Sequence, residues 1–125
     1  MDLKEFNTRD AHDEGAEIQI RNQFGELTDL FIVVVGLDSK LWRAIDAERN
    51  RKVVQRLIDK TQVDTLIDDT PEYLAKASIA WRGATQDGEP VKFSQAAAAE
   101  LYMSAPYIAD QVDRFIGKRA NFTKG

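Results

Sequence analysis

The feature that most constrains the fold is a run of six consecutive apolar residues at positions 30–35, Leu-Phe-Ile-Val-Val-Val. Aromatic and β-branched residues of this kind favour a strand. Side chains alternate between the two faces of a strand, so this strand needs cover on both faces. One face can pack on helices of the chain, and the other requires a further helix or a partner chain. That second face carries one of two sets: Phe31, Val33 and Val35, or Leu30, Ile32 and Val34. The first set, Phe31, Val33 and Val35, gives the candidate partner-binding residues of this strand.

A second strand is predicted just before this run. Residues 16–21, Ala-Glu-Ile-Gln-Ile-Arg, alternate small or apolar side chains with polar ones, which is typical of a half-buried strand. Gly25 lies in the connecting segment 22–26 and readily adopts the positive φ of a hairpin turn. The sequence therefore predicts an antiparallel hairpin. A two-stranded hairpin alone is marginally stable in water, so helices must pack on it.

The rest of the chain carries apolar residues at helical spacing. This spacing predicts four helices, over residues 40–60, 71–82, 94–103 and 107–119. Ser39 and Ser94 are of the type that caps a helix N-terminus. We therefore predict an α+β fold, an N-terminal β-hairpin followed by about four helices, in a single small domain. The predicted limits are a flexible arm over residues 1–15, the domain over 16–122 and a tail over 123–125.

Two large aromatic residues are predicted to lie together in the core. Trp81 ends the predicted helix 71–82, a polar loop with the turn signal Asp87-Gly88 follows, and Phe93 precedes the next helix. The pair would join these two helices and pack against the last one. The full predicted core set is Trp42, Trp81, Phe93, Val112, Phe115 and Phe122.

The predicted helix 40–60 is basic in an acidic chain. It holds 7 basic and 3 acidic residues, whereas the whole chain has a net charge of −4. Its apolar residues lie at both ends, so we expect it to pack by its ends and to leave its middle in water. Its cations are either a docking surface for an acidic partner or a solvated face with ion pairs. They include the candidate partner-binding residues Arg43, Arg49, Arg51, Lys52 and Arg56.

The chain has few of the Cys and His residues that commonly act in catalysis or as metal ligands. The chain has no cysteine, and its one histidine, His12, lies in a polar segment where we expect it on the surface. No phosphate-binding or nucleophile motif is present, so we expect no enzyme activity, no cofactor and no metal. A hydrolase that uses Asp68, Asp69 or Glu72 is a remote alternative. The apolar run at 30–35 is too short to span a membrane, and the N-terminus lacks the pattern of a secretory signal.

The C-terminal part resembles the tail assembly chaperones of long-tailed bacteriophages and their prophages. The resemblance is carried by Trp81, by Asp-Gly-Glu-Pro-Val-Lys-Phe-Ser at 87–94, by a helix that ends near Pro106, and by Gln-Val-Asp-Arg-Phe-Ile-Gly-Lys-Arg-Ala-Asn-Phe at 111–122. The N-terminal strands and the segment from Asp38 to Arg43 follow the same layout. The resemblance covers residues 16–122. It departs at Gln23, where the pattern has a proline.

The resemblance implies a non-enzymatic protein that binds the tape measure protein during tail assembly, with tail tube subunits as a further candidate partner. It implies the cytoplasm of the host cell, and absence from the mature virion. One alternative is a minor structural protein of the virion or tail. A second is a small DNA-binding module that uses the helix 40–60, although the net negative charge argues against nucleic acid as a partner. We also expect self-association through the strand 30–35.

Overall fold

The computed structural model describes residues 2–59 and 70–122 and has an α+β fold with five helices and two small sheets. The predicted fold class is thereby confirmed. The helices are α1 (Arg9–Glu14), α2 (Lys40–Asp59), α3 (Thr70–Ala77), α4 (Gln95–Ser104) and α5 (Pro106–Ile116). The strands are β1 (Ala16–Arg21), β2 (Leu27–Val34), β3 (Ser78–Arg82), β4 (Thr85–Gln86) and β5 (Glu89–Pro90). Short 3-10 helices cover Leu3–Phe6 and Arg119–Phe122.

The predicted N-terminal hairpin is confirmed in part. Strands β1 and β2 pair antiparallel, with Ile18 opposite Ile32, and Gly25 has the positive φ of 82° that the turn requires. The Asn22 side-chain oxygen accepts hydrogen bonds from the backbone N–H groups of Phe24 and Glu26, at 2.9 and 3.0 Å, and so holds the turn. The sheet is larger than predicted, however, because β3 pairs with the other edge of β2 in the order β1-β2-β3.

The prediction of one helix over residues 71–82 is wrong. Helix α3 ends at Ala77, and the next five residues form β3, with Trp81 opposite Ile32. The spacing of Trp81 from Leu74 and Ala77 fits a helical face and therefore predicts a helix there. Pairing with the apolar strand β2 overrides that local pattern, since strand preference depends on the neighbours that a residue meets.

The core lies between the inner face of the three-stranded sheet and helices α3, α4 and α5. Ile32 and Val34 of β2 are fully buried there, as are Tyr102 of α4 and Val112 of α5. Burial raises the pKa of the Tyr102 hydroxyl to about 12, and this hydroxyl shares a hydrogen bond of 2.7 Å with Ser78. This bond joins α4 to the start of β3.

The predicted core residues all contact this core, but not equally. Val112 and Phe122 are buried, whereas the other four are half-buried and pack against the buried set. Trp81 and Phe93 meet edge to face, with ring centroids 5.3 Å apart. The Trp81 indole N–H also donates to the carbonyl of Val91 at 2.9 Å. The pair thus joins a strand to the segment before α4, rather than two helices.

The prediction that His12 lies on the surface is wrong, and the segment predicted as a flexible arm contains a helix. Residues 9–14 form α1, and His12 is 1% exposed, with its ring 4.8 Å from that of Phe122. The histidine Nδ1 accepts a hydrogen bond of 2.9 Å from the backbone N–H of Asp38. The polar sequence around His12 concealed this burial, because a lone histidine in a short amphipathic helix gives no periodic signal.

Asp38 connects the N-terminal segment, the start of α2 and the C-terminal 3-10 helix. Its carboxylate accepts hydrogen bonds from the Arg119 guanidinium at 3.0 and 3.1 Å, from Arg43 at 3.2 Å and from the hydroxyl of Thr8. The Arg119 hydrogen bonds are the main reason that the pKa of Asp38 lies well below its usual range, with Thr8 adding to the effect. Both ends of the described chain are thereby fixed to one carboxylate.

Candidate functional site

The first half of α2 is anchored in the domain. Ser39 caps the helix, since its hydroxyl oxygen accepts a hydrogen bond from the backbone N–H of Trp42 at 3.0 Å. Asp13 of α1 accepts from the backbone N–H of Lys40 at 2.7 Å. Ile45 is buried and Trp42 half-buried. The predicted packing of this end of the helix is therefore observed.

The second half of α2 exposes its apolar side chains. Val53, Val54, Leu57 and Ile58 are 53%, 52%, 74% and 67% exposed, and we call these four residues the α2 stripe. The prediction that both ends of the helix pack is thus wrong for the C-terminal end. Helix α2 has 20 residues and α3 has 8, which correspond to lengths of about 30 and 12 Å at the rise of an α-helix. Helix α2 is therefore more than twice as long as α3, the helix that it packs against in its middle.

The middle of α2 is organised around one aromatic ring. The Arg49 guanidinium lies 4.8 Å from the centroid of the buried Tyr73 ring, and the ammonium groups of Lys52 and Lys76 lie at 5.3 and 5.0 Å. Glu48 lies 3.6 Å from Lys52 and 3.4 Å from Lys76. The hydrogen bond from Lys76 is the main cause that lowers the pKa of Glu48. These cations therefore also have a structural role, holding α2 against α3.

The predicted basic docking residues do not form one surface. Arg43 contacts the carboxylate of Asp38, whereas Arg49 and Lys52 lie against the ring of Tyr73. Arg51 is exposed, close in the helix to the α2 stripe. The side chain of Arg56 lies outside the described part of the structure, as do Asp68 and Asp69, so their predicted roles stay predictions.

The outer face of the three-stranded sheet is partly covered by its own side chains. Phe31 and Val33 are half-buried on this face, and the Arg82 guanidinium lies 3.8 Å from the Phe31 ring centroid. Arg82 also donates two hydrogen bonds of 2.9 Å to Glu17, which lowers the pKa of that carboxyl. Arg82 thus shields the Phe31 ring in part, and the predicted cover by a helix or a partner stays a prediction.

Val35 does not belong to this outer face. It is 2% exposed, and its backbone N–H donates to the carbonyl of Ala77 at 3.0 Å. Placing Val35 with Phe31 and Val33 as a partner-binding residue was therefore wrong. The chain leaves the regular alternation after Val34, where β2 ends, so the period of two no longer applies.

A groove of about 640 Å³ lies between the β1–β2 hairpin, the β4–β5 hairpin and helices α4 and α5. Apolar side chains line it, and the exposed carboxylates Asp29 and Glu100 also border it. The apolar lining residues are Ile20, Leu30, Trp81, Val91, Leu101 and Ile108. Sequence reasoning missed this groove, because its walls come from six elements spread over residues 20–108 of the chain.

The chain matches no known protein-family model, no curated protein and no solved structure. Within residues 2–59 and 70–122, no helix is both long enough and apolar enough to span a bilayer. The same residues contain no group of three or more His, Cys, Asp or Glu side chains arranged to hold a metal ion.

Proposed function

We propose that this chain is a non-enzymatic tail assembly chaperone of a long-tailed bacteriophage or prophage. In this role it binds the tape measure protein and keeps it soluble while the tail tube assembles. It acts in the host-cell cytoplasm and is absent from the mature virion. The observation that carries the proposal is the α2 stripe, a set of four aliphatic side chains that are each more than half exposed.

Such a surface suits a chaperone for an assembly intermediate. Contiguous exposed apolar residues mark protein-binding surfaces on soluble domains. Aliphatic contacts are non-directional, so they tolerate different client segments in a way that a preorganised polar site does not. The neighbouring cations add long-range attraction to acidic segments, which speeds encounter more than it raises affinity.

The direct test is co-expression with the tape measure protein encoded in the same phage or prophage genome. We expect the tape measure protein to be insoluble when expressed alone and to co-purify with this chain when both are present. Light scattering and gel filtration would measure the complex. A tape measure protein that stays insoluble in the presence of this chain would contradict the proposal.

Mass spectrometry of purified particles separates the proposed role from that of a minor structural protein. We expect the chain in the lysate and not in the particle. Its presence in particles at a fixed copy number would favour the structural role. Binding to duplex DNA that weakens steeply with added salt would favour the DNA-binding alternative.

A further inference from the structure

The α2 stripe has the geometry of one continuous contact surface. Its four residues occupy positions i, i+1, i+4 and i+5 of a helix, and residues with these spacings lie on one side. Their exposed fractions rise from about half at Val53 and Val54 to 74% at Leu57. Within the stripe, the most exposed side chains are thus Leu57 and Ile58, which lie farthest from the anchored start of α2.

The charged residues within the last turns of α2, over residues 49–58, are all basic. Residues 49–58 hold Arg49, Arg51, Lys52 and Arg56 and no acidic residue. Of the acidic residues of α2, Asp46 and Glu48 precede this part, and Glu48 pairs with Lys52 and Lys76. The third, Asp59, follows it as the last residue of the helix. A ligand along the stripe therefore meets apolar contacts accompanied by positive charge.

We infer that the last turns of α2, from Arg51 to Ile58, bind an amphipathic helix that has acidic residues beside its apolar face. This inference rests on the proposed function and specifies the kind of client segment that the chaperone holds. The apolar face of the ligand packs on Val53, Val54, Leu57 and Ile58. Its carboxylates lie beside Arg51, the exposed cation next to the stripe. In this binding mode an amphipathic helix is recognised by apolar side chains that recur at helical spacing.

An acidic helix fits these features better than other anionic ligands. Duplex DNA gains nothing from four exposed aliphatic side chains, since its affinity comes mostly from phosphate contacts. An anionic membrane would attract the cations, but the exposed residues of the stripe include no aromatic anchor of the interfacial type. The chain as a whole has a net charge of −4, which opposes binding to either extended anionic surface.

The inference is tested with three fluorescein-labelled peptides of about 20 residues, a length at which a helix can form. The first has leucines at helical spacing with glutamates beside them. The second has the same composition in scrambled order, and the third has lysines in place of the glutamates. Fluorescence anisotropy with the full chain should show saturable binding of the first peptide, at least about tenfold tighter than that of the other two. Equal binding of the first two peptides, or no binding of the first, would overturn the inference.

The surface is mapped with two variants and matched controls. Leu57→Ser with Ile58→Ser should weaken binding of the acidic peptide at least about tenfold, since two exposed aliphatic anchors are lost. Met103→Ser is its control, because Met103 is an apolar residue of α4 that is 70% exposed. Arg51→Glu should weaken binding severalfold, most strongly at low salt, with Lys92→Glu as the exposed control. Unchanged binding in both stripe variants would place the site elsewhere and contradict the inference.

The same variants distinguish the inference from the proposed function. If the tape measure protein co-purifies with the wild type and equally with Leu57→Ser/Ile58→Ser, this docking site is wrong while the proposed function stands. If the wild type binds the acidic peptide but leaves the tape measure protein insoluble, the proposed function fails and the docking site stands. Tighter binding to phosphatidylglycerol vesicles or to duplex DNA than to the peptide would overturn the inference. So would a wild-type dimer that becomes monomeric in this double variant, because a second copy would then occupy the stripe.

Discussion

His12 shows how one buried side chain makes stability depend on pH. Burial lowers its pKa from 6.5, and the positive charge of Arg119 lowers it further, whereas Asp38 and Asp13 act in the opposite direction. The unfolded chain therefore binds the proton more readily than the folded chain. The stabilisation by neutral His12 is present above pH 6.5 and is lost as the pH falls below that value.

We expect the free energy of unfolding to decrease from pH 7 towards pH 5.5, with a slope of at most about 1.4 kcal/mol per pH unit for one proton. Urea denaturation at a series of pH values measures this slope. His12→Phe is the control variant, because it removes the only imidazole in the chain and should flatten the dependence in this range. A slope that persists in His12→Phe would assign the effect to other groups.

Asp38 is the residue that ties together three parts of the chain. Asp38→Asn removes the charge that Arg43 and Arg119 face, and we expect a loss of about 1–3 kcal/mol, as for other hydrogen bonds to charged groups. Hydrogen exchange should become faster in α1 and in Arg119–Phe122, the segments that Asp38 holds. Asp110→Asn, in an exposed position of α5, is the control and should leave both measurements unchanged. Equal exchange in the two variants would show that Asp38 does not hold these segments.

At the scale of elements, short sequence patterns correctly predicted the turns and helix caps, because these depend on contacts between residues close in the chain. The β1–β2 turn, the serine caps at Ser39 and Ser94 and the turn at Asp87-Gly88 were predicted from short patterns, and each is observed. Strand β3 was missed because its pairing with β2 joins residues about fifty positions apart. The exposed α2 stripe was also missed as an exposed surface, since an apolar pattern does not say whether another element reaches it.

The position of β3 makes a sharp prediction for Gly83, the residue that follows it. Gly83 has φ 81°, and a Cβ there would lie 1.9 Å from the Asp29 carbonyl oxygen of β2. Gly25 has nearly the same φ of 82° but no atom within 4 Å of an added Cβ. Both alanine variants bear the cost of a positive φ, about 1–2 kcal/mol. Gly83→Ala should lose clearly more in chemical denaturation, because β2 or β3 must also shift. Equal losses would mean that the two strands are not this close.

At the scale of the whole molecule, the helices described in 2–59 and 70–122 cover one face of the three-stranded sheet, and the two edges of the sheet differ. The edge of β1 is occupied at Arg21, where the Gln111 amide of α5 bonds both backbone polar groups at 2.8 Å. No strand among residues 2–59 and 70–122 pairs with the outer edge of β3, and Ile79 in this strand is 42% exposed. Because only the β1 edge is occupied by a side chain within the described residues, we expect two copies of the chain to associate through the β3 edge and the adjoining outer face with Phe31 and Val33.

We expect the purified chain to self-associate through this side of the sheet, since unpaired strand edges and exposed apolar residues favour pairing with another copy. Val33→Lys places a charge in the middle of the outer face and should give a smaller folded species in light scattering. Leu57→Ser/Ile58→Ser should leave the mass of the oligomer unchanged, because the α2 stripe lies on a different element. Circular dichroism would verify that both variants keep the fold. A wild-type chain that stays monomeric at high concentration would contradict self-association, and it would leave the outer face and the α2 stripe both accessible to a client.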